Sequence, residues 1–269
     1  MKSSLLPACL SLFFLAGCSA LEPSIFGFAS DGMRKRATER QAEPRPTLKI
    51  AKQAQTQRSA QLNPVRDPTF PAWSVPSAKP STVLQSTLTP VELFTKVSPA
   101  VYALAAQGKA PRQLTSHGSA VAVSSKEAIT NCHIVVNAKS IILTNAARTL
   151  RAELVSADPL TDRCYLRVPD GELSPVLGIR DYTSLAVGEV VFTIGSPQGL
   201  VNTLGSGLLS GLRKSEGEAE YIQITAPVSQ GSSGGGLFDE RGNLIGVTTF
   251  TVRDSQNLNF AIAASEFWR

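Results

Sequence analysis

Histidine is scarce in this sequence: 269 residues include only two, His117 and His133. Chemistry that needs an imidazole base must therefore use one of these two side chains. A long apolar run is lacking as well, because the N-terminal run LLPACLSLFFLAG is too short to cross a bilayer as a helix. What remains is a chain with 42% hydrophobic residues, enough for one or two sizeable cores.

An excess of basic charge is missing from most of the chain. Residues 19–87 hold 10 Lys and Arg against 5 Asp and Glu, whereas residues 88–269 hold 15 against 16. Residues 19–87 therefore carry +5, and Lys2 offsets the −1 of residues 88–269, so the first of these segments accounts for the net charge of +5. A nearly neutral remainder without a basic face argues against a nucleic-acid-binding core, so we expect no nucleic-acid partner.

Residues 1–17 have the layout of a secretory signal, in which Lys2 precedes the apolar run. The run ends in LAGC, residues 15–18, which resembles the lipobox of bacterial lipoproteins. The resemblance implies cleavage before Cys18 and acylation of Cys18 as a membrane anchor. Because Ser19 follows rather than Asp, it also implies the periplasmic side of the outer membrane in a Gram-negative bacterium. The alternative is an ordinary signal peptide with an incidental cysteine.

The sequence contains four cysteines, and the leader accounts for two of them. Cys9 would leave with the signal, and Cys18 would be acylated. Cys132 and Cys164 then remain as an even pair in an oxidising compartment, where disulfides form and persist. We expect a disulfide between these two residues.

Residues 18–87 are polar and rich in Pro, Gln, Ser, Arg and Lys. This composition cannot bury enough apolar surface to offset chain entropy, so it predicts a disordered, basic tether behind the lipidated cysteine. Next to a lipid anchor, such a tether could lie against anionic lipid or an envelope polymer. The alternative is a solvated linker with an incidental basic bias.

Residues 88–269 are predicted to fold, beginning near Thr89. Thr89-Pro90-Val91-Glu92 has the pattern of a helical capping box, with Pro at the first helical position. Val91, Phe94 and Val97 follow at helical spacing, and Pro99 should stop the helix. The closing AASEFWR predicts a short terminal helix.

The rest of this region predicts an all-β fold. Short runs rich in β-branched residues alternate with turn residues, without long helices between them, which is typical of a sandwich or barrel. The predicted strands are Ser119 to Val123, Ile129 to Val136, Ser140 to Thr144, Arg151 to Val155, Tyr165 to Val168, Glu189 to Ile194, Ser206 to Leu212, Tyr221 to Thr225, Asn243 to Phe250 and Leu258 to Ile262.

The stretch QGSSGGGLF, residues 230–238, admits three interpretations: a slack linker, an anion-binding loop, or the site of a nucleophilic serine. It also fits G-x-S-x-G, the nucleophile elbow of α/β-hydrolases. That fold needs a histidine after the serine, and both histidines precede Ser233, so the elbow is excluded. The order His, Asp, Ser remains possible and is the order of the chymotrypsin-like double barrel.

Seven motifs follow one another in residues 88–262, namely TPVELFTKVSPAVYAL, GSAVAV, TNCHIV, DPLTDRCYLRV, GEVVFTIGSPQGL, QITAPVSQGSSGGGLFDERGNLIGVTT and NLNFAIA. In this order they resemble the protease domain of the HtrA/Deg branch of trypsin-like serine proteases. The resemblance implies two antiparallel six-stranded β-barrels with a short N-terminal helix. It also implies His133 as the general base, Asp162 as the residue that orients it and Ser233 as the nucleophile.

The glycines around Ser233 have a physical use, because they let backbone N–H groups turn toward one point. We expect an oxyanion hole made by the N–H groups of Gly231 and Ser233. The resemblance further implies peptide binding along Thr249, Phe250 and Thr251. It places a first specificity pocket, without charged residues, at four further positions, which are Pro227, Val228, Asn259 and Ala261. An uncharged pocket predicts a small or medium apolar side chain at the cleavage site.

The chain departs from the family pattern at the serine loop. The family has Asp or Asn where this chain has Ser232, and Pro where it has Gly236. These residues predict a looser loop, whose oxyanion hole would be collapsed until substrate or a partner binds. The sequence shows no PDZ-like segment after the last barrel motif, and the family's trimer is not carried over.

Three residues offer competing interpretations of the site. His117 lacks the surrounding motif and is predicted to be a loop residue. Asp158 rivals Asp162 as the acid, but it precedes Pro159 and is more typical of a turn. Cys132 next to His133 could be a nucleophile, but neighbouring side chains on a strand point to opposite faces.

The sequence thus predicts a lipid-anchored serine endopeptidase of the cell envelope that cleaves protein or peptide substrates through an acyl-enzyme. No cofactor or metal is expected, because no cluster of His, Cys and carboxylate ligands remains once the cysteines are paired. One alternative is a catalytically inactive binding module that kept the protease fold. Another is an envelope scaffold or adhesin in which the tether matters most. An activating partner, if one is needed, is not identified by the sequence.

Overall fold

The computed structural model describes residues 71–269, except residues 78, 83–85, 109–114, 147, 198–199, 201, 216–218 and 252–257. The predicted signal peptide, the lipidation site Cys18 and most of the predicted tether lie outside the described residues. Within the described part of the chain, no helix combines the length and the apolar character needed to cross a membrane.

The first helix, α1, spans Pro90–Val97 and begins with the predicted capping box. The Thr89 hydroxyl accepts a hydrogen bond from the Glu92 backbone N–H at 3.3 Å, and the Glu92 carboxylate accepts one from the Thr89 N–H at 2.9 Å. The helix buries Leu93 and Val97, whereas Val91 is 77% exposed. Pro99 lies in the 3₁₀ turn Ser98–Ala100 that follows.

The first barrel consists of six antiparallel strands and is closed in the order β1-β2-β3-β6-β5-β4. Its core is formed by side chains such as Leu104, Leu143 and Leu166, each at most 2% exposed. The strands are β1 Val101–Gly108, β2 Ser116–Ala122, β3 Glu127–Thr130, β4 Ala138–Asn145, β5 Arg148–Asp158 and β6 Arg163–Arg167.

The second barrel is closed in the order β11-β8-β9-β10-β13-β12, because β12 also pairs with β11. The two-residue strand β7 adds to β12 in parallel, outside the ring. The predicted double barrel of six-stranded rings with one short N-terminal helix is thus confirmed. The strands are β7 Gly178–Ile179, β8 Val190–Gly195, β9 Thr203–Lys214, β10 Glu220–Ile224, β11 Gly236–Asp239, β12 Asn243–Thr251 and β13 Asn259–Ala263. A 3₁₀ turn covers Tyr182–Ser184, and another, Ala264–Trp268, ends the chain near the predicted terminal helix.

Several predicted elements were wrong in detail. The run Ile129 to Val136 is not one strand, because β3 ends at Thr130 and Cys132–Val135 forms a single helical turn, α2. The two-residue strand β7 was not predicted, and neither were the longer strands β1 and β11. Their sequences, VYALAAQG and GLFD, are rich in Ala or Gly rather than β-branched residues, so tertiary pairing rather than intrinsic preference makes them strands.

The chain before α1 already contacts the barrels, although order was predicted to begin near Thr89. We call the described residues 71–77 and 79–82 the strap. Pro71 O accepts a hydrogen bond from the Ala157 N–H at 3.3 Å, and the Ser74 N–H donates to Ser156 Oγ at 2.6 Å. Thr82 Oγ1 donates to Ile179 O at 2.6 Å, so the strap reaches from the first barrel to β7. These hydrogen bonds hold the strap on the barrels. A polar, Pro-rich composition does not reveal them, so the sequence placed the start of order too late.

Candidate active site

The predicted catalytic residues come from both barrels. His133 lies on α2, directly after β3, and Asp162 closes the turn between β5 and β6. Ser233 lies in the loop between β10 and β11. The prediction that His133 lies on a strand, Ile129 to Val136, was wrong, since the Val136 N–H donates to Cys132 O and the chain forms one helical turn there.

Asp162 and His133 form a two-point contact. The Asp162 carboxylate lies 2.8 and 3.0 Å from His133 Nδ1 and accepts the His133 backbone N–H at 2.9 Å. Thr249 Oγ1, from the second barrel, donates to the same carboxylate at 2.9 Å. With Nδ1 turned toward Asp162, the imidazole Nε2 faces away from the carboxylate, as a proton-accepting base requires.

The backbone of Asp162 is held in a strained conformation. Its φ of 61° lies in the left-handed region, where Asn202 is the only other non-glycine among the described residues. Asp162 O accepts hydrogen bonds from Asn131 Nδ2 at 3.2 Å and from the Cys132 N–H at 3.3 Å. Residues that flank His133 thus fix the peptide unit of the acid.

A disulfide links Cys132, the first residue of α2, to Cys164 on β6, with the Cα atoms 4.8 Å apart. Cys132 directly precedes His133, and Cys164 follows Asp162 by two residues. The bond therefore joins the two segments that carry the imidazole and the carboxylate. Because Cys132 is bonded to Cys164, it has no free thiol and is not a nucleophile. This observation replaces the argument from strand geometry, since Cys132 lies on α2 and not on a strand.

The loop around Ser233 depends on glycine at two positions. Gly231 has a φ of 94° and Gly234 a φ of 84°, which favour glycine. A Cβ on Gly234 would overlap Ser119 O. The loop is closed by hydrogen bonds from Ser232 N–H to Ser229 O and from Gly235 N–H to Ser232 O, both at 2.9 Å.

Two N–H groups of this loop differ from their neighbours. The N–H groups of Ser232, Gly234 and Gly235 all donate to backbone carbonyls. Among the described residues, those of Gly231 and Ser233 donate to none. They are the pair that the sequence predicted for an oxyanion hole.

Ser119, which sequence reasoning did not single out as a site residue, anchors the serine loop to the first barrel. Its side chain is fully buried. Ser119 Oγ donates to Gly231 O at 3.0 Å and accepts the Ser196 N–H at 2.9 Å, while its own N–H donates to Ser233 O at 2.8 Å. A polar residue inside the otherwise apolar run SAVAV was the available signal, because a buried hydroxyl needs partners.

The Ser233 hydroxyl has a partner of its own. Ser233 Oγ donates to Thr249 O at 2.9 Å. A hydroxyl carries one proton, so in this arrangement that proton is directed to the carbonyl and not to an imidazole. Activation of the serine therefore requires that the hydroxyl turn away from Thr249 O.

The residues predicted to bind substrate divide into two groups. Thr249, Phe250 and Thr251 lie on β12, although the side chains of Phe250 and Thr251 are outside the described part of the chain. Asn259 is 5% exposed, and its side-chain amide donates to Ala226 O at 2.8 Å, which braces the segment before Pro227.

The remaining predicted pocket residues lie inside or beside the second barrel. Ala261 is fully buried in the core of that barrel, against which Val228 also packs. Pro227 lines a cavity of about 80 Å³ beside the serine loop. The cavity is lined by Thr193, Ile194, Gly195, Pro197, Thr203, Leu204, Gly205, Pro227, Ser229, Ser232 and Thr248.

Two of the competing site residues, His117 and Asp158, have other positions or partners. His117 is exposed on β2, opposite Ala105, so the prediction of a loop was wrong for it. Asp158 accepts hydrogen bonds from Thr161 and Arg163, as expected for a turn residue. Within the described residues, no group of three or more His, Cys, Asp or Glu side chains is arranged to hold a metal ion.

Two ionisable groups near the site have displaced pKa values. Burial, and then the negative charge of Asp162, raise the pKa of Tyr221 to about 12, so its phenol is neutral at physiological pH. Burial tends to raise the pKa of Asp158, but hydrogen bonds from Thr161 and Arg163 outweigh it and the pKa is lowered. Asp158 is therefore a carboxylate at neutral pH.

Comparison with known proteins agrees with this geometry. Residues 118–247 match the family model of the trypsin-like peptidase domain, and His133, Asp162 and Ser233 all lie inside that match. The HtrA-type protease AlgW, solved with a tripeptide, shares 30% identity at a TM-score of 0.61, over 66% of this chain and 61% of that one. The double barrel has an HtrA-type serine protease fold.

The similarity is also seen in sequence comparisons with curated relatives. The putative serine protease HhoA of Synechocystis sp. is 32% identical over 161 residues, which is 56% of this chain and 41% of that protein. A probable periplasmic serine endoprotease, DegP-like, of Halomonas elongata is 37% identical over 141 residues, 50% of this chain and 30% of that protein. The chain thus spans less than half the length of either relative.

Proposed function

We propose that this chain is a serine endopeptidase in which Ser233 is the nucleophile, His133 the general base and Asp162 the residue that orients the base. The observation that carries the proposal is the two-point contact of Asp162 with His133, through Nδ1 and the backbone N–H. This contact fixes both the tautomer and the orientation of the ring, which is the role of the acid in a catalytic triad.

The reaction begins when the Ser233 hydroxyl turns from Thr249 O toward His133 Nε2. Oγ attacks the scissile carbonyl carbon while Nε2 takes the hydroxyl proton, and the N–H groups of Gly231 and Ser233 stabilise the oxyanion. His133 then protonates the leaving amine, which leaves an acyl-enzyme on Ser233. Water, deprotonated by the same imidazole, releases the acid and restores the hydroxyl.

We further propose that substrate binds as an extended strand along β12. The register of β12 with β11 ends at the Gly236–Val247 pair, whereas its register with β13 continues to Thr251–Asn259. The edge next to Ser233 can thus accept a peptide backbone, as in β-strand addition. The uncharged residues Pro227 and Val228 favour a small or medium apolar side chain at the cleavage site.

The cell envelope is the proposed location. It is supported by the periplasmic designation of the DegP-like relatives and by the secretory layout of residues 1–17. The LAGC motif adds an acylated Cys18 as the outer-membrane anchor, with lipid as a partner. The basic residues that follow would then lie close to the membrane surface.

A second candidate function is a binding module that keeps the fold without turnover. The hydrogen bond from Ser233 Oγ to Thr249 O favours it, because this bond withholds the hydroxyl proton from the base. In that case a peptide would still add to β12, but no acyl-enzyme would form.

Labelling with a fluorophosphonate probe distinguishes the two functions. The non-reduced protein should react at Ser233, and both Ser233→Ala and His133→Ala should abolish labelling. A Ser232→Ala variant serves as a control for the loss of a neighbouring hydroxyl and should still react. A folded wild-type protein that binds peptide without labelling or cleavage would support the binding module instead.

A further inference from the structure

Arg163 directly follows Asp162 and is nearly buried, with 7% of its surface exposed. Its guanidinium is bound on several sides. Nε donates to Thr161 Oγ1 at 2.7 Å, Nη2 donates to Asp158 Oδ2 at 2.8 Å, and Nη1 donates to the backbone carbonyl of Glu266. Arg163 thus links two parts of the molecule. One is the turn that carries Asp162, which Arg163 contacts at Asp158 and Thr161, and the other is the C-terminal 3₁₀ turn.

The turn needs such a link, because its last residue is strained. Asp158 starts the turn and accepts hydrogen bonds from the backbone and the hydroxyl of Thr161. Asp162 follows with its left-handed φ of 61°. A non-glycine residue keeps this conformation only where its surroundings determine it. Arg163 supplies part of these surroundings through its hydrogen bonds to Asp158 and Thr161.

Trp73 of the strap covers the guanidinium from outside. The centroid of its ring lies 4.8 Å from Arg163 Cζ, within the range of a cation–π contact. Trp73 Nε1 donates to Arg269 O at 2.8 Å, and the nearby Pro71 O accepts the Ala157 N–H from β5. The Trp73 ring is therefore held between Ala157, near the end of β5, and Arg269.

We propose that Arg163 is a positioning residue for Asp162, and that Trp73 holds Arg163 in its productive arrangement. The strap, which precedes the double barrel in sequence, is then part of the catalytic geometry. This inference rests on the proposed peptidase function. Removing the indole ring admits water to the guanidinium, weakens its bonds to Thr161 and Asp158, and loosens the carboxylate that orients His133.

The test compares three strap variants of the full chain. Trp73→Ala should lower kcat about tenfold at unchanged KM, the size expected when a desolvated cation–π contact is lost from the productive arrangement. Trp73→Phe keeps an aromatic face and should recover most of kcat. Lys79→Ala, which removes the strap's ion pair with Asp181, is the matched control and should keep wild-type kcat.

A second measurement does not depend on turnover. The proton on His133 Nδ1 that is bound by Asp162 gives a low-field NMR resonance when it is protected from exchange. This resonance should broaden in Trp73→Ala and stay sharp in Trp73→Phe and Lys79→Ala. Thermal unfolding of each variant, measured in parallel, confirms that the protein is folded.

The outcomes separate this inference from the proposed function. A wild-type protein without Ser233-dependent hydrolysis would refute the function, and the NMR resonance alone would then decide the positioning role. Trp73→Ala with wild-type kcat and a sharp resonance would overturn the inference. Equal losses in Trp73→Ala and Lys79→Ala would overturn it too, because a generally loosened strap would explain both.

Discussion

The two halves of the candidate site are held by different means. In the first barrel, His133 and Asp162 are joined by hydrogen bonds, and a disulfide links Cys132 and Cys164 beside them. In the second barrel, Ser233 lies on a glycine-rich loop, and the Ser233 hydroxyl donates a hydrogen bond to Thr249 O. The base and acid are thus arranged in advance, while the nucleophile must turn. We infer that substrate binding acts mainly on the second half.

The strongest way to break the prearranged half is Asp162→Asn. The amide can keep the geometry but presents an N–H toward Nδ1, which favours the wrong imidazole tautomer, so kcat should fall about 10⁴-fold. Steady-state peptide hydrolysis measures it. Asp170→Asn, an exposed acid on the same barrel, is the control and should retain activity. Comparable activity of Asp162→Asn and wild type would remove Asp162 from the triad.

Removing the disulfide should have the next largest effect. The cysteines are 32 residues apart in sequence, so a Cys132→Ser, Cys164→Ser double variant should lose about 3 to 4 kcal/mol of unfolding free energy by loop entropy. Chemical denaturation under non-reducing conditions measures the loss. Activity of the folded fraction should also fall, because the two linked segments carry His133 and Asp162. A stable, fully active double variant would mean that hydrogen bonds alone hold this half.

The Ser119→Ala variant tests how the serine loop, in the second half of the site, is held in place. The change removes the hydroxyl that binds Gly231 O and the Ser196 N–H, and it leaves buried backbone groups unpaired, at a cost of about 1 to 3 kcal/mol. The rate of fluorophosphonate labelling should fall with it, since the loop carries the oxyanion donors. Ser116→Ala, an exposed serine on the same strand, is the control. Unchanged labelling in Ser119→Ala would show that the loop needs no anchor on the first barrel.

The all-β class could be predicted from local runs of β-branched residues, whereas the double barrel and the candidate triad were implied by the resemblance of ordered motifs to the HtrA/Deg proteases. Alternating apolar runs predict strands, and the order of His133, Asp162 and Ser233 excludes one hydrolase fold and admits another. The helical turn at Cys132 was not predicted, because Ile and Val at both ends of ITNCHIV give it the composition of a strand. The roles of Ser119 and Trp73 could not be predicted either, since they depend on partners more than 70 residues away in sequence.

The smallest expected effect concerns Asp158, at the far end of the turn that presents Asp162. Its lowered pKa means that the folded state favours the carboxylate, with burial opposed and outweighed by hydrogen bonds from Thr161 and Arg163. The resulting stabilisation is present above the ordinary aspartate pKa of about 3.9 and is lost as the pH falls through the lower, folded-state pKa. Asp158→Asn should therefore be less stable than wild type at neutral pH, and the difference should shrink below about pH 4. Denaturation at several pH values measures it. A difference that stayed constant with pH would mean that the shape of the side chain, rather than its charge, holds the turn and Arg163 in place.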